Sequence, residues 1–121
     1  MWRIVLPTIQ EFGTLDVPLL SAPPPFRFAE PAKCGRVLTE VGFAGITATS
    51  HTNRWTGRDG QAVLDLLYQS IVQAPLLIEA QTREAREKIR VGIRARAEEY
   101  RRGDHLELRF PYLLVTPTKP R

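Results

Sequence analysis

The chain has 121 residues, of which 43% are hydrophobic and 25% charged, and this composition is typical of one soluble globular domain. No stretch approaches the ~20 apolar residues that a bilayer span needs, and the first residues lack the pattern of a signal peptide. The net charge is +4, and the single Cys34 excludes an internal disulfide framework and favours a reducing, cytoplasmic location.

Residues 1–30 are predicted to form a Pro-rich covering arm. Pro7, Pro18 and the prolines at 23–25 oppose a continuous helix, because proline lacks the amide hydrogen and clashes with the preceding turn. We expect an extended or hinged segment with one short helical turn at most. A solvated, disordered segment is the open alternative, since Pro-rich stretches are often solvated.

A short helix is predicted over 31–41. Pro31 fits the first helical position, where its missing amide hydrogen costs nothing. Gly42 suits the left-handed residue that ends a helix, and Phe43 suits the apolar residue that covers such an end. Val37, Leu38 and Val41 are expected to form the buried stripe of this helix.

A strand and a second helix are predicted next. Residues 46–52 are rich in β-branched side chains and alternate apolar with polar, which is typical of a strand. Residues 53–60 are expected to form a loop. Asp59 is a good N-cap for a helix over 60–74, which Pro75 would end or kink.

A long basic helix is predicted over 83–102, and Gly103 would end it. The segment holds eight basic and four acidic residues, which equals the whole net charge of the chain. Its apolar stripe is narrow, so we expect it to lie on the surface as a solvated face stabilised by i,i+4 ion pairs. A docking face for an acidic partner is the next interpretation. Nucleic-acid or anionic-lipid binding is the third, and we expect neither a nucleic-acid nor a membrane partner.

A final strand is predicted over 106–116. Its second half is apolar on both faces, which is typical of a strand inside a sheet. Two strands alone do not make a stable sheet in water. The pair 46–52 and 106–116 therefore needs a third strand from the arm, another chain that completes the sheet, or the rest of a larger protein.

Several stretches resemble the C-terminal part of S-adenosylmethionine-dependent methyltransferases of the ubiquinone/menaquinone-biosynthesis type. The segment 26–46 is similar to the region in which a Gly-Phe turn, here Gly42-Phe43, joins the last-but-one helix to strand six. The segment 55–67 looks like the helical insertion that follows that strand. Residues 110–120 resemble strand seven, which in that family runs antiparallel between strands five and six.

This resemblance implies an α/β fold class, or α+β for the fragment alone: a C-terminal piece of a Rossmann-like methyltransferase sheet with residues 31–121 in a single domain. The elements would be the antiparallel strand pair 46–52 and 106–116 with helices 31–41, 60–74 and 83–102. The Gly-rich turn that holds the cofactor in that family has no counterpart here. We therefore expect the chain alone to bind no cofactor and to be inactive, with S-adenosylmethionine implied only for the complete enzyme.

The resemblance also implies a role for three aromatic residues. Loops and the insertion after strand six cover the substrate pocket in that family, so Phe26, Phe28 and Trp55 are candidates for a lid over a small-molecule substrate. The alternative is that they are core residues capping the sheet. No catalytic residue and no metal ligand is predicted. His51 and His105 have no neighbouring nucleophile, and Cys34 is expected to behave as a small hydrophobe.

Two functional hypotheses follow. In the first, the chain is the C-terminal segment of a methyltransferase that transfers a methyl group to a small-molecule acceptor, and its partner is the missing half. In the second, it is a stand-alone α+β interaction module that dimerises or pairs through a sheet edge, since unpaired edges recruit partners.

Overall fold

The computed structural model describes residues 1–19, 21, 23 and 26–119. Within them the chain is an α+β structure with five α-helices and a three-stranded antiparallel sheet of order β1-β3-β2. The helices are α1 (Trp2–Phe12), α2 (Pro31–Glu40), α3 (Gly60–Ser70), α4 (Gln73–Glu79) and α5 (Arg83–Ala97). The strands are β1 (Ala44–Gly57), β2 (Arg101–Arg102) and β3 (His105–Thr118).

The chain divides into two compact units. The helical unit comprises Met1–Leu20 and Arg54–Leu108. The hairpin unit comprises Ser21–Asn53 and Arg109–Arg121. Strands β1 and β3 each contribute residues to both units.

The helical unit contains all of the buried hydrophobic side chains among the described residues. Helix α5 is its centre and packs against α1, α3 and α4. The side chains of Leu106 and Leu108, at the start of β3, are buried in the same core. The other core residues are Ile4, Val5, Ile9, Val63, Leu64, Leu67, Ala74, Ile78, Ile89, Ile93 and Ala97. Burial of this apolar area is the main term that stabilises the helical unit.

The predicted extended arm is wrong for residues 2–12, which form α1 despite Pro7. An interior proline costs a helix about 3 kcal/mol, because one backbone hydrogen bond is lost. Here α1 buries Ile4, Val5 and Ile9 against α5, and the resulting burial offsets that cost. Tertiary packing therefore decides the conformation of a segment whose local sequence opposes it.

The helix predicted over 60–74 is interrupted earlier than expected. Helix α3 ends at Ser70, and α4 begins at Gln73. In a continuous helix the ring of Pro75 would meet the carbonyl of Ile71, four residues before it. With the break at 71–72, Pro75 instead lies in the first turn of α4, where proline is tolerated.

The basic helix is also shorter than the predicted 83–102. Thr82 caps its start by accepting a hydrogen bond from the amide of Ala85, and α5 ends at Ala97. Arg101 and Arg102 form β2 and pair with Leu106 and His105. The turn between them uses Gly103 at φ +67°, a left-handed conformation that glycine adopts without strain. The last two residues of the predicted helix, Arg101 and Arg102, therefore pair in the sheet instead.

The predicted loop over 53–60 is mostly strand. Both predicted strands are present and longer than expected, so β1 continues to Gly57 beside the first half of β3. Asp59 is the N-cap of α3, as predicted, and accepts a hydrogen bond from the amide of Ala62 at 3.0 Å. The amide of Gly60 donates to the Glu98 carboxylate at 3.1 Å, so acidic groups already occupy this helix N-terminus.

Helix α2 and its C-terminal turn confirm the helix predicted over 31–41, but its predicted buried stripe is wrong, since Val37 and Leu38 are only half-buried and Val41 is 67% exposed. Gly42 has φ +100°, and its amide donates to the carbonyl of Thr39 at 3.0 Å. The amide of Phe43 donates to the carbonyl of Leu38 at 3.0 Å. These two bonds form the Schellman motif that a Gly-Phe pair favours after a helix. The turn leads the chain directly into β1.

Candidate functional site

The apolar side chains of the hairpin unit are partly exposed, because the described residues of this unit form no core. None of its described residues is buried, although α2, β1 and β3 all carry apolar side chains. Tyr112 and Leu114 lie on one face of β3 and are 43% and 48% exposed, while Leu113 and Val115 lie on the other and are half-buried. A helix and a two-stranded hairpin without a core are at best marginally stable in water. The surface is therefore a candidate site for association.

Strand β3 has a free side over most of its length. β1 lies along one side, and β2 pairs on the other only with His105 and Leu106. Among the described residues, no strand lies on that second side over 109–118, which we call the open edge. The outer side of β1 is also unpaired there, but residues 47–53 are mostly Thr, Ser, His and Asn, which suits an outermost strand.

A polar row crosses one face of the hairpin unit. The Thr47 hydroxyl lies 2.5 Å from that of Thr116, and the Thr118 hydroxyl donates to the carbonyl of Ala44 at 2.7 Å. The imidazole of His51 stacks on the Tyr112 ring with 5.3 Å between centroids. The sequence prediction missed this polar row. Its only sequence signal is the alternation of side chains along both strands.

The two predicted phenylalanine lid candidates lie together. Phe26 and Phe28 form an exposed turn before α2, closed by a hydrogen bond from the amide of Ala29 to the carbonyl of Phe26. The guanidinium of Arg27 lies 4.5 Å from the centre of the Phe28 ring. Trp55 belongs to the helical unit, where its half-buried ring lies against Gly57. The lid role of all three stays a prediction.

No constellation of catalytic or metal-binding type appears among the described residues. His51 contacts Thr49 and Tyr112, and the ring of His105 lies 3.0 Å from the carboxylate of Asp104 in an exposed turn. Cys34 is half-buried in α2. No group of three His, Cys, Asp or Glu side chains in the described part of the chain could hold a metal ion.

No described helix is by itself long and apolar enough to cross a membrane. Helices α3 and α4 reach the required length and composition only together, and they are bent by 109° at their junction.

The cations of the basic helix are largely paired within the helical unit. Arg86 and Arg90 both bind Glu79 of α4, and Arg96 binds Glu11 of α1. Lys88 and Arg94 pair with acidic residues of α5 itself. Taken whole, the helical unit holds eleven basic and eleven acidic residues, and the hairpin unit six basic and two acidic. The excess charge of +4 therefore belongs to the hairpin unit.

Glu79 is the centre of an ionic cluster that fastens α4 to α3 and α5. Its carboxylate accepts hydrogen bonds from the Tyr68 hydroxyl at 2.8 Å, Arg90 at 2.5 Å and Arg86 at 2.9 Å. The Tyr68 hydroxyl, followed by the two guanidinium groups, lowers the pKa of Glu79 below its ordinary value of 4.5. Partial burial raises the pKa of Tyr68. The cluster therefore has a structural role, which is to hold α4 against α3 and α5.

Replacing Glu79 by glutamine is expected to lower the free energy of unfolding by about 1 kcal/mol at neutral pH, because an exposed ion-pair network contributes little more. The folded-state pKa is depressed, so this contribution is present above pH 4.5 and is lost as the pH falls through the folded-state pKa. Urea denaturation of both proteins from pH 7 to pH 3 measures the difference. Glu84→Gln is the control, since the Glu84–Lys88 pair is strongly exposed. A difference between wild type and Glu79→Gln that stays constant down to pH 3 contradicts the assignment.

Comparisons with protein-family models, with curated proteins and with solved structures find no match to this chain.

Proposed function

We propose that this chain is the C-terminal segment of an S-adenosylmethionine-dependent methyltransferase, in which it completes the sheet and does not hold the cofactor. The observation that carries the proposal is β3, a strand with apolar side chains on both faces beside an open edge in a unit without buried residues. Such a strand is stable inside a sheet whose two faces are covered. The hairpin unit has the features of the margin of a larger sheet.

The order of the elements supports the proposal. Helix α2, the Gly42-Phe43 turn and β1 are followed by a helical insertion and then by β3, which returns antiparallel beside β1. This order is similar to the end of the methyltransferase family named above. The open edge of β3 would then receive strand five of that sheet.

In the complete enzyme, the methyl group would pass from the sulfonium of S-adenosylmethionine directly to a small-molecule acceptor, in the cytoplasm. Catalysis of this kind depends mainly on the approach and orientation of two bound molecules. The other half would bind the cofactor, while this chain would supply the margin of the sheet. Phe26, Phe28 and Trp55 would cover the acceptor, since aromatic rings suit a small apolar or planar molecule.

The isolated chain is expected not to bind S-adenosylmethionine. Calorimetric titration of the chain with the cofactor tests this. Micromolar binding would refute the proposal that the other half alone holds the cofactor.

A chimera tests the proposal itself. The first half of a methyltransferase of the resembled type, cut after its fifth strand, is joined to this chain. We expect the chimera to bind S-adenosylmethionine at least about tenfold more tightly than that half alone, because a complete sheet orders the cofactor site. Leu114→Asp in the chimera should abolish the gain, whereas Thr39→Asp on the exposed face of α2 should not. A chimera that binds no better than the half alone contradicts the proposal.

A second candidate is a stand-alone module that pairs with a second copy through the same open edge, since unpaired strands recruit partners. Light scattering coupled to size-exclusion chromatography distinguishes it. A dimer that Leu114→Asp dissociates would favour this candidate.

A further inference from the structure

We propose that one face of the hairpin unit is covered, in the complete protein, by a single helix with an uncharged and apolar contact stripe. This face, which we call the exposed face, consists of alternate residues over 45–53 of β1 and 110–118 of β3. The inference rests on the proposed function, because the missing half has to supply the helix. It adds a second contact, of different chemistry, to the strand expected at the open edge.

The two faces of the hairpin differ in how far they are covered. The hydroxyl of Thr47 meets that of Thr116, and His51 stacks on Tyr112, so odd-numbered residues of β1 and even-numbered residues of β3 share the exposed face. All residues of this face are exposed apart from Phe110, which is half-buried. The opposite face carries three half-buried apolar side chains, those of Ile46, Leu113 and Val115.

Hydroxyl groups of the exposed face already have partners within the hairpin. The hydroxyl of Thr47 lies 2.5 Å from that of Thr116, and the hydroxyl of Thr118 donates to a backbone carbonyl of β1. The hydroxyl of Thr49 lies 2.9 Å from Nε2 of His51. Covering a polar group is costly when the group loses its hydrogen-bond partner. An apolar cover can therefore exclude water here and leave these hydroxyls paired.

The exposed face carries no lysine, arginine, aspartate or glutamate. The charged residues of the hairpin unit lie on the opposite face of β3, as Arg109 does, or outside the strands. A charged side chain pressed against the exposed face would lose water and meet no opposite charge. The contact stripe of the occupant is therefore uncharged, and Tyr112 and Leu114 favour an apolar one.

The area of the exposed face favours a helix of the same folded protein over a second copy. Two neighbouring strands of this length present about 300 Å², since strands lie ~4.8 Å apart and rise ~3.4 Å per residue. A stable pair of free chains buries about 800 Å² on each partner, so this face packed on its own copy is too small. A helix is about 10 Å wide, which matches two strands. Helices also cover both faces of a sheet of the proposed type.

Cysteine labelling in the chimera locates the cover. Thr49→Cys and Ser50→Cys place thiols at neighbouring exposed positions of β1 on opposite faces. Cys34→Ser and a cofactor-binding half with its own cysteines replaced remove other thiols. In the isolated chain both variants should react with a maleimide at similar rates. In the chimera we expect the reaction of Thr49→Cys to slow at least about tenfold and that of Ser50→Cys to change less than about twofold.

A charge at the same two positions tests the chemistry of the cover. Thr49→Asp in the chimera should reduce the gain in S-adenosylmethionine binding at least about tenfold, because the charge would be buried under the helix. Ser50→Asp, its matched control on the opposite face, should leave the gain unchanged. Equal effects of the two substitutions contradict an uncharged contact on the exposed face.

The labelling rates separate the inference from the proposed function. If the chimera binds the cofactor more tightly than the half alone but both thiols stay equally reactive, or slow equally, the inference is overturned and the proposed function stands. If the reaction of Thr49→Cys slows in the isolated chain as protein concentration rises, a second copy is the occupant and the inference is overturned. A chimera without the gain in cofactor binding refutes the proposed function and the inference together.

Discussion

Replacing Gly60 by alanine is expected to destabilise the helical unit by about 3 kcal/mol, because overpacking against backbone cannot be relieved by a rotamer change. A Cβ atom at this position would press on the carbonyl oxygen of Arg94 and stand 2.8 Å from its Cα. Gly60 is the first residue of α3, and this contact lets α3 approach α5 closely. Chemical denaturation followed by circular dichroism measures the loss.

The matched control is Gly35→Ala in α2. A Cβ at Gly35 meets no atom within 4 Å, so the same chemical change removes only the entropic cost of a helical glycine. We expect no loss of stability and a gain of up to about 1 kcal/mol in α2. An unchanged denaturation midpoint for Gly60→Ala would show that α3 and α5 are not in close contact there.

Truncating Ile93 to alanine is expected to cost about 3–4 kcal/mol, whereas truncating Leu114 in the isolated chain should cost less than about 0.5 kcal/mol. Ile93 lies in α5 and is fully buried, while Leu114 is 48% exposed. Both substitutions remove a branched apolar side chain. The contrast therefore measures where the chain has a core, and urea denaturation of the two variants gives both values.

The Leu114 result also bears on the proposed function. In the chimera with a cofactor-binding half, Leu114 would lie inside a completed sheet, so Leu114→Ala should become costly, by about 2–3 kcal/mol. A large loss in the isolated chain would instead show that the hairpin unit already has a core of its own and needs no partner.

Local signals predicted the ends of several elements correctly. The Gly42-Phe43 pair and Asp59 act through backbone hydrogen bonds within a few residues, and Pro31 acts through its own fixed backbone angle, so these signals are local. The two long strands were predicted for the same reason, since their pattern of β-branched and apolar residues is local, whereas their antiparallel direction was implied only by the family resemblance.

Elements that depend on distant contacts were predicted wrongly. Helix α1 tolerates Pro7 because it buries a face against α5, more than seventy residues away in the sequence. The end of the basic helix was misplaced because Arg101 and Arg102 gain strand partners beyond Gly103. No window of a few residues contains either contact.

The candidate site was predicted only in part. The two apolar faces of β3 predicted a strand inside a sheet, and the association surface stays a prediction, while the excess charge was assigned to 83–102. Glu79 and Glu11, outside that segment, form ion pairs with Arg86, Arg90 and Arg96, and this pairing is visible only in three dimensions. Counted by unit, the excess charge lies with the hairpin unit.

The chain from Arg58 to Asp104 is, topologically, the connection between the two long strands β1 and β3. Its ends are held close, since the guanidinium of Arg54 lies 3.8 Å from the carboxylate of Glu107. The entropic cost of closing a loop rises by only about 0.6 kcal/mol for each doubling of its length. Residues could therefore be inserted at the exposed turns of this connection at little entropic cost, whereas α5 must keep the face that packs against α1.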